Sequence, residues 1–504
     1  MRVASFMRQF LGAAIMSFPK FLLGSGFVWP SYAIIILRSS STPLSAPITL
    51  MGEALTGSLP LISSIVTSPF GGVIVDKIGR RYSGILTCVS VAISWIFIGA
   101  GKTVPMLLVG RFIFGVSGGL LMQVAWSFTA EISEDAVRGF MSSMPSVMYA
   151  LGALVSIILG WVTSYHNVTY INIGLALTNA FTMWVLPESP VYLALIGKHE
   201  EALKSLSFYR ASTSKDKAVI DEMSEIRSNQ ANKQTDVKLL PTEVCESNSH
   251  VLFFPEPSLR DQEKQNLAET EFVPAAKVTS MQYFRISPAA RWSFFVVAAL
   301  MTQSILTGVI AVQVYGGPLF LKATPSLSPD LCAVFLGSIL LVGSICGAAF
   351  TDLFGRRILL MTAAAINGIC MLALGTLVRW AWGPEWLVPT FILVFSFVFN
   401  LGGGMIPYVL LAEVFVPEVK GFAQSITMLW LYIVHFILLL AFVPAVELIG
   451  LDVVFFVFAA CAFSTTLLTH YLLPETKGLN PYVIEDTFAQ RIKEGRRWAS
   501  PVKS

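Results

Sequence analysis

The side chains able to do chemistry are few, and most of them occur twice. Gly71-Gly-Val-Ile-Val-Asp-Lys-Ile-Gly-Arg-Arg81 returns as Gly347-Ala-Ala-Phe-Thr-Asp-Leu-Phe-Gly-Arg-Arg357. Ala130-Glu-Ile-Ser-Glu-Asp-Ala-Val-Arg-Gly139 returns as Ala412-Glu-Val-Phe-Val-Pro-Glu-Val-Lys-Gly421, and Pro187-Glu-Ser189 as Pro474-Glu-Thr476. The charges so placed are Asp76, Arg80, Arg81, Glu131 and Arg138, then Asp352, Arg356, Arg357, Glu413 and Lys420. Their chemistry is ion pairing. An exposed pair contributes only about 0–1 kcal/mol, and basic residues alone would set membrane orientation. Acids recurring at matched places need another role, so the sets read as a latch. In that reading Glu131 meets the arginine pair in one conformation, and parting of the halves breaks the contact. No nucleotide-binding loop, catalytic triad or HExxH motif is present, so the sequence gives no enzyme chemistry, cofactor or metal to place.

Two ionisable groups fall at membrane depth, where such groups are functional candidates by default. Lys20 snorkels to the interface if its helix starts near Lys20; if the helix starts near Phe10, the ammonium is inside and can meet an anion. The first reading is preferred. His435, mid-span, reads as a hydrogen-bonded packing histidine. The first span has no Asp or Glu, and no interior span holds an unpaired acid near its middle. That pattern argues against proton coupling and for gradient-driven movement.

These residues must be positioned by apolar helices. Of 504 residues, 55% are hydrophobic and 13% charged, with mean hydropathy +0.69; soluble chains carry about 25% charged residues. The apolar runs, roughly 18–25 residues each, suit a bilayer core of about 30 Å. They give about twelve spans, the first near 13–37, the seventh near 291–314 and the tenth near 386–410. The three echoes recur in order at an offset of about 280 residues, so the chain is one half written twice. Lys77, Arg80, Arg81, Arg138, Arg356, Arg357 and Lys420 lie on one side, against Arg38, Lys102, Lys322 and Arg379 on the other. The positive-inside rule puts the first group, both termini and the long middle loop in the cytoplasm. In that loop, Lys198 to Arg210 has helical spacing with Leu203, Leu206 and Tyr209 on one face, and about 228–265 reads as disordered. Asn400-Leu-Gly-Gly-Gly-Met-Ile-Pro-Tyr408 puts a cluster of helix breakers inside the tenth span. Irregular backbone at that depth needs packing or a watery cavity, and broken helices mark transporter sites. Gly24-Ser-Gly-Phe-Val-Trp-Pro-Ser-Tyr32 is a weaker version in the first span. The six cysteines lack metal-ligand spacing and read as small side chains, not as disulfides.

The duplicated phrases, with Gly110-Arg-Phe112, Pro187-Glu-Ser-Pro190, Ile406-Pro-Tyr408 and Pro474-Glu-Thr-Lys-Gly478, resemble the sugar porter family of the major facilitator superfamily. Gly57-Ser-Leu-Pro60 and Gly26 to Tyr32 look most like its insect trehalose-transporter branch. The resemblance implies an all-α membrane protein of twelve transmembrane helices in two pseudo-symmetric six-helix bundles, moving a sugar by alternating access. It also implies where solute contacts fall. The family's paired seventh-span glutamines become Ser304 and Ile305, beside Gln303; its fifth-span glutamine becomes Ser146; its tenth-span tryptophan becomes Tyr408, while Trp430 is kept. Ile310, Leu340, Asn400 and Val191 are further departures. Gating residues are retained and sugar-binding amides mostly lost, and unpaired hydroxyls cost a few kcal/mol each. The candidate solute contacts are Gln303, Ser304, Thr307, Ser146, Asn400, Tyr408, Trp430 and Trp29, with Gln123 and Gln424 weaker.

The expected organisation is a bundle over 1–186, a cytoplasmic loop over 187–290, a bundle over 291–473 and a tail over 474–504. The expected function is facilitative transport of a neutral sugar, hexose or trehalose, by a monomer in the plasma membrane, without nucleic-acid partners. The alternatives are a uniporter for an apolar or anionic solute, with Lys20 contributing, and a non-transporting sensor.

Overall fold

The computed structural model describes residues 3–236, 280–324, 326–477, 479 and 481–494. The first half is α1 (Val3–Val28), α2 (Pro30–Arg38), α3 (Leu50–Ile78), α4 (Arg80–Ala100), α5 (Val104–Ile132), α6 (Asp135–Val162) and α7 (Tyr165–Val185). Short helices α8 (Pro190–Leu195), α9 (His199–Tyr209), α10 (Lys217–Asp236) and α11 (Ser280–Ile286) follow. The second half is α12 (Pro288–Leu306), α13 (Val309–Ala323), α14 (Pro329–Phe354), α15 (Arg356–Trp380), α16 (Leu387–Leu401), α17 (Ile406–Glu413), α18 (Pro417–Leu448) and α19 (Leu451–Leu472), before α20 (Pro481–Glu494). Twelve helices or broken helix pairs among the described residues are long and apolar enough to cross a membrane, matching the twelve expected spans. The repeat is visible in the joints: α3 passes to α4 through Gly79 at φ +96°, and α14 to α15 through Gly355 at φ +80°. Both joints need left-handed backbone, which glycine alone adopts without strain.

Three spans are broken. The tenth breaks at its glycines, between Leu401 and Ile406, as the sequence suggests. The first is interrupted more mildly: Trp29 keeps a helical backbone (φ −47°, ψ −41°), and the ladder lacks only the bond that Pro30 cannot donate. The seventh breaks at Gly308, φ +90°, a joint the sequence reading did not foresee. In the loop, α9 covers the expected helix, with Leu206 and Tyr209 fully buried. The stretch expected to be disordered lies mostly outside the described residues; its described beginning continues α10 to Asp236.

The halves meet along three seams: α3 with α18, α6 with α14, and α2 with α13. Ile34, Ala54 and Leu61 of the first half share one apolar cluster with Val312, Tyr315 and Phe442 of the second. Glycine makes the closest approach possible: a Cβ at Gly317 of α13 would sit 1.8 Å from the Ser31 carbonyl oxygen of α2. This seam is at the end of the molecule opposite the duplicated charges, called here the far end.

Candidate functional site

At the charged end the two halves build the same device. Arg80, at the start of α4, is nearly buried. Its Nη2 lies 3.1 Å from Glu131 Oε1 at the end of α5, its Nη1 lies 3.2 Å from Asp76, and its guanidinium sits 5.0 Å over the Tyr192 ring. Ser189 Oγ donates to the other Glu131 oxygen. The Glu188 carboxylate accepts the Arg81 backbone N–H at 3.0 and 3.1 Å, capping α4, whose first N–H groups have no partner within the helix. In the second half Arg356 forks onto Glu413 at 2.8 and 3.2 Å, and Thr476 Oγ1 donates to Glu413 at 3.1 Å. Glu475 caps α15 by accepting the Arg356 and Arg357 N–H groups at 2.9 and 3.2 Å. The third sequence echo is therefore the pair of capping acids, which sequence reasoning recorded only as a repeat. Burial pushes the Glu188 carboxyl above the usual carboxylate range, against the pull of the Ser189 and Arg81 N–H groups.

Each of these pairs joins helices of a single half. The latch reading needs correction on this point: parting the halves leaves Arg80–Glu131 and Arg356–Glu413 intact. The reason is geometric, because Glu131 and Glu413 end the helices packed beside the arginines' own. Arg81 sends its Nη1 to the Leu186 carbonyl at 3.1 Å, and Arg357 its Nη2 to the His470 carbonyl at 2.7 Å. Arg138 is exposed and reaches the Ser133 carbonyl at 3.4 Å. The Asp352 side chain lies outside the described residues, as does that of Gln123.

The structure separates the candidate solute contacts into three groups. Trp430 of α18 is 46% exposed, and its indole N–H donates to Thr302 Oγ1 of α12 at 2.8 Å, so the ring is anchored and still partly exposed. Beside Thr302, Gln303 Oε1 accepts from Ser464 at 2.9 Å. Tyr408, also partly exposed, lies within electrostatic range of Tyr432 in its own half and of Tyr149 in the other. Neither of those phenols was singled out in the sequence, and the Tyr432 hydroxyl is buried without a hydrogen-bond partner among the described residues. Ser146 is half-buried on α6.

A second group serves the broken helices. Ser304 Oγ donates to the Gly403 carbonyl at 2.6 Å and Thr307 Oγ1 to the Ser304 carbonyl at 2.6 Å. Asn400 Nδ2 donates to the Ser396 carbonyl at 2.8 Å, and Gln424 Nε2 to the Leu411 carbonyl at 3.1 Å. Third, Trp29 is 0% exposed and packs edge-on against Trp95 at 6.0 Å, inside the first half and not on a solute path in this structure.

Lys20 also needs correction. The first helix begins at Val3, and Gly12 already lies beside Ile132, the last residue of α5. Eight residues further on, about 12 Å along the helix, Lys20 is 6% exposed inside the protein and does not snorkel. His435 is hydrogen-bonded, its Nδ1 2.9 Å from the Leu431 carbonyl, in keeping with a packing role. Arg111, the basic residue of Gly110-Arg-Phe112, was missed as an ionisable group at depth; it is 0% exposed.

Two like halves of membrane-spanning helices, with broken helices and half-exposed aromatic and amide groups along them, define a membrane transporter of the major facilitator fold. The chain belongs to the sugar (and other) transporter family, whose model matches residues 37–254 and 255–488. It is a multi-pass membrane protein and not an enzyme. A curated relative, the facilitated trehalose transporter Tret1 of Apis mellifera ligustica, is 22% identical over 494 residues, covering 96% of this chain and 89% of the relative. The protein of the same name from Anopheles gambiae is also 22% identical, and there this chain spans 56% of a longer relative. Among solved structures, the inward-open xylose transporter XylE from E. coli aligns with TM-score 0.72 at 18% identity, over 95% of this chain and 99% of that one. The structure of the proton:xylose symporter XylE bound to 6-bromo-6-deoxy-D-glucose aligns at 0.67 with 18% identity, over 97% and 100%. These two likenesses concern the fold.

Proposed function

We propose that this chain moves a neutral sugar, hexose or trehalose, down its gradient by alternating access, with the charged end in the cytoplasm of a plasma-membrane protein. The observation that carries the mechanism is the division of contacts. At the charged end the Arg80–Glu131 and Arg356–Glu413 pairs are each internal to one half and Arg210–Glu134 joins the first half to the loop, while the far end is sewn across the halves by α2 and α13. That arrangement supports a reading in which each half moves as a unit and the far end is closed, with the seams α3/α18 and α6/α14 as the surfaces on which the halves rock.

A sugar needs a flat apolar face and hydrogen-bond partners for its hydroxyls. Trp430 supplies the face; Tyr408, Tyr432, Tyr149, Gln303 and Ser146 supply partners in place of the family's lost amides. Ion-independent transport is favoured by Arg111, a fully buried cation of the first half, whose described bonds run to backbone carbonyls and not to a carboxylate. The relatives' names include both a facilitated transporter and a proton symporter, so the distinction must be measured. Purified protein in vesicles, offered labelled trehalose, glucose and an organic anion with and without a proton gradient, tests it. Failure of both sugars ends the sugar reading. Uptake of the anion alone favours the second reading, which rests on the buried Lys20 in the wall of α1.

A further inference from the structure

Arg111 has a task that its bonds make visible: among the described residues they run to backbone carbonyls and not to an acid. In an α-helix each carbonyl is taken by the N–H four residues later, and proline has none. Pro30 therefore leaves the Gly26 carbonyl free at the α1–α2 break, and Pro60 leaves the Thr56 carbonyl free inside α3. These are the two carbonyls that Arg111 takes. Its Nη1 donates to Gly26 O at 2.7 Å and its Nε to Thr56 O at 2.8 Å. The guanidinium lies 5.6 Å from the Trp29 ring, at the break itself, and 5.2 Å from the Phe114 ring. Two carbonyl dipoles and two aromatic faces thus surround a charge that is wholly out of solvent.

Of the two helices so tied, α1 runs directly into α2, and α2 and α3 seal the far end. Ser31 Oγ of α2 accepts the Gly317 N–H of α13 at 2.8 Å. Tyr315 Oη of α13 donates to the Ala54 carbonyl of α3 at 3.3 Å and lies 3.2 Å from the Leu439 carbonyl of α18. A Cβ at Gly57 would come within 2.3 Å of Tyr315 Oη, so the seal tolerates little displacement of α3. In the second half Ser304 Oγ takes the Gly403 carbonyl inside the glycine turn that precedes Pro407.

We propose that Arg111 is a positioning residue for the far-end gate, a fork that fastens the proline-freed carbonyls of α1 and α3 to α5 and so sets where α2 and α3 meet α13. Lysine carries the charge but not the planar fork, and one ammonium on a flexible stem does not reproduce that two-pronged geometry. The gating consequence rests on the alternating-access reading; the bonding claim does not.

The test is a cycle with an accessibility readout. Ile35→Cys, in the far-end cavity of about 440 Å³ between the halves, is introduced into a chain whose six cysteines are replaced, and labelled with a membrane-impermeant maleimide. Arg111→Met and Arg111→Lys are each expected to raise the labelling rate several-fold. In the Pro30→Ala/Pro60→Ala background the restored helix N–H groups retake both carbonyls, so Arg111→Met is expected to add less than twofold. If Arg111→Met alone fails to reach the membrane, the two alanines are expected to restore its surface level. Unchanged labelling in both Arg111 variants overturns the proposal. So does an Arg111→Met effect of full size, or no rescue of surface level, in the proline-free background. Labelling is read without any solute, so a failure of the sugar reading in vesicles leaves this result interpretable.

Discussion

Replacing Glu131 by alanine separates a device that holds one half together from a lock between halves. Removing one member of a buried ion pair costs about 3–5 kcal/mol because the other charge stays behind. Here the Arg80 side chain is 8% exposed and that of Glu131 15%, and Asp76, 73% exposed, remains 3.2 Å from Arg80 to take part of the charge. The expected loss is therefore about 2–3 kcal/mol. For a unit of one half's size that is a fall in melting temperature of about 5–10 °C. Glu131→Gln keeps an acceptor for Ser189 and should lose about half as much. Glu413→Ala, where the pair is more exposed at 11% and 26%, should lose less than Glu131→Ala. The assay is thermal unfolding in detergent beside surface level and uptake per surface molecule. Melting temperature and surface level should fall together while uptake per surface molecule stays within about twofold, since RT ln 2 is about 0.4 kcal/mol. A tenfold loss of uptake per molecule at unchanged melting temperature would refute the reasoning, for it would show Glu131 acting between conformations.

Two further substitutions probe the solute path and the cap. Trp430→Ala should raise the KM for a transported sugar about 5–10-fold by removing the stacking face; Trp430→Phe should raise it less, and Thr302→Val, which frees the indole N–H, should resemble Trp430→Phe. Equal KM values in all of them would remove Trp430 from the solute path. Because burial raises the Glu188 carboxyl above its ordinary value, its stabilising contribution is complete below that value and is lost as pH rises through the raised one. Wild type should therefore gain melting temperature relative to Glu188→Gln as pH falls from neutral toward 4.5; a relative loss on acidification would contradict the burial argument.

Much of the architecture is readable in the residues because it rests on strong, local signals. Long apolar runs and three echoes in order define twelve spans and two halves, and the three glycines before Pro407 mark the tenth-span break. The seventh-span break hangs on Gly308 alone among apolar neighbours, a signal no different from a tolerated helical glycine. Trp29 is a candidate solute contact by sequence, and which side its indole takes depends on tertiary packing against Trp95. Lys20 went astray because the sequence leaves the helix start open, and a helix begun at Val3 carries that residue beyond reach of the interface. Glu188 and Arg111 were within reach of sequence reasoning. The first is the acid of a repeated tripeptide, and the second sits where two carbonyls, each four residues before a proline, need a donor. What no one-dimensional reading supplied is that the repeated ion pairs close within a half, since helix ends of equal charge pattern meet equally well in either arrangement.

The most direct test of the central claim is counterflow in vesicles of purified protein held at equal pH on both faces. Labelled trehalose or glucose should enter saturably, faster when unlabelled sugar is trapped inside, and at the same rate after a protonophore is added. Entry that requires an imposed proton gradient, or no carrier-dependent entry of either sugar, would contradict it.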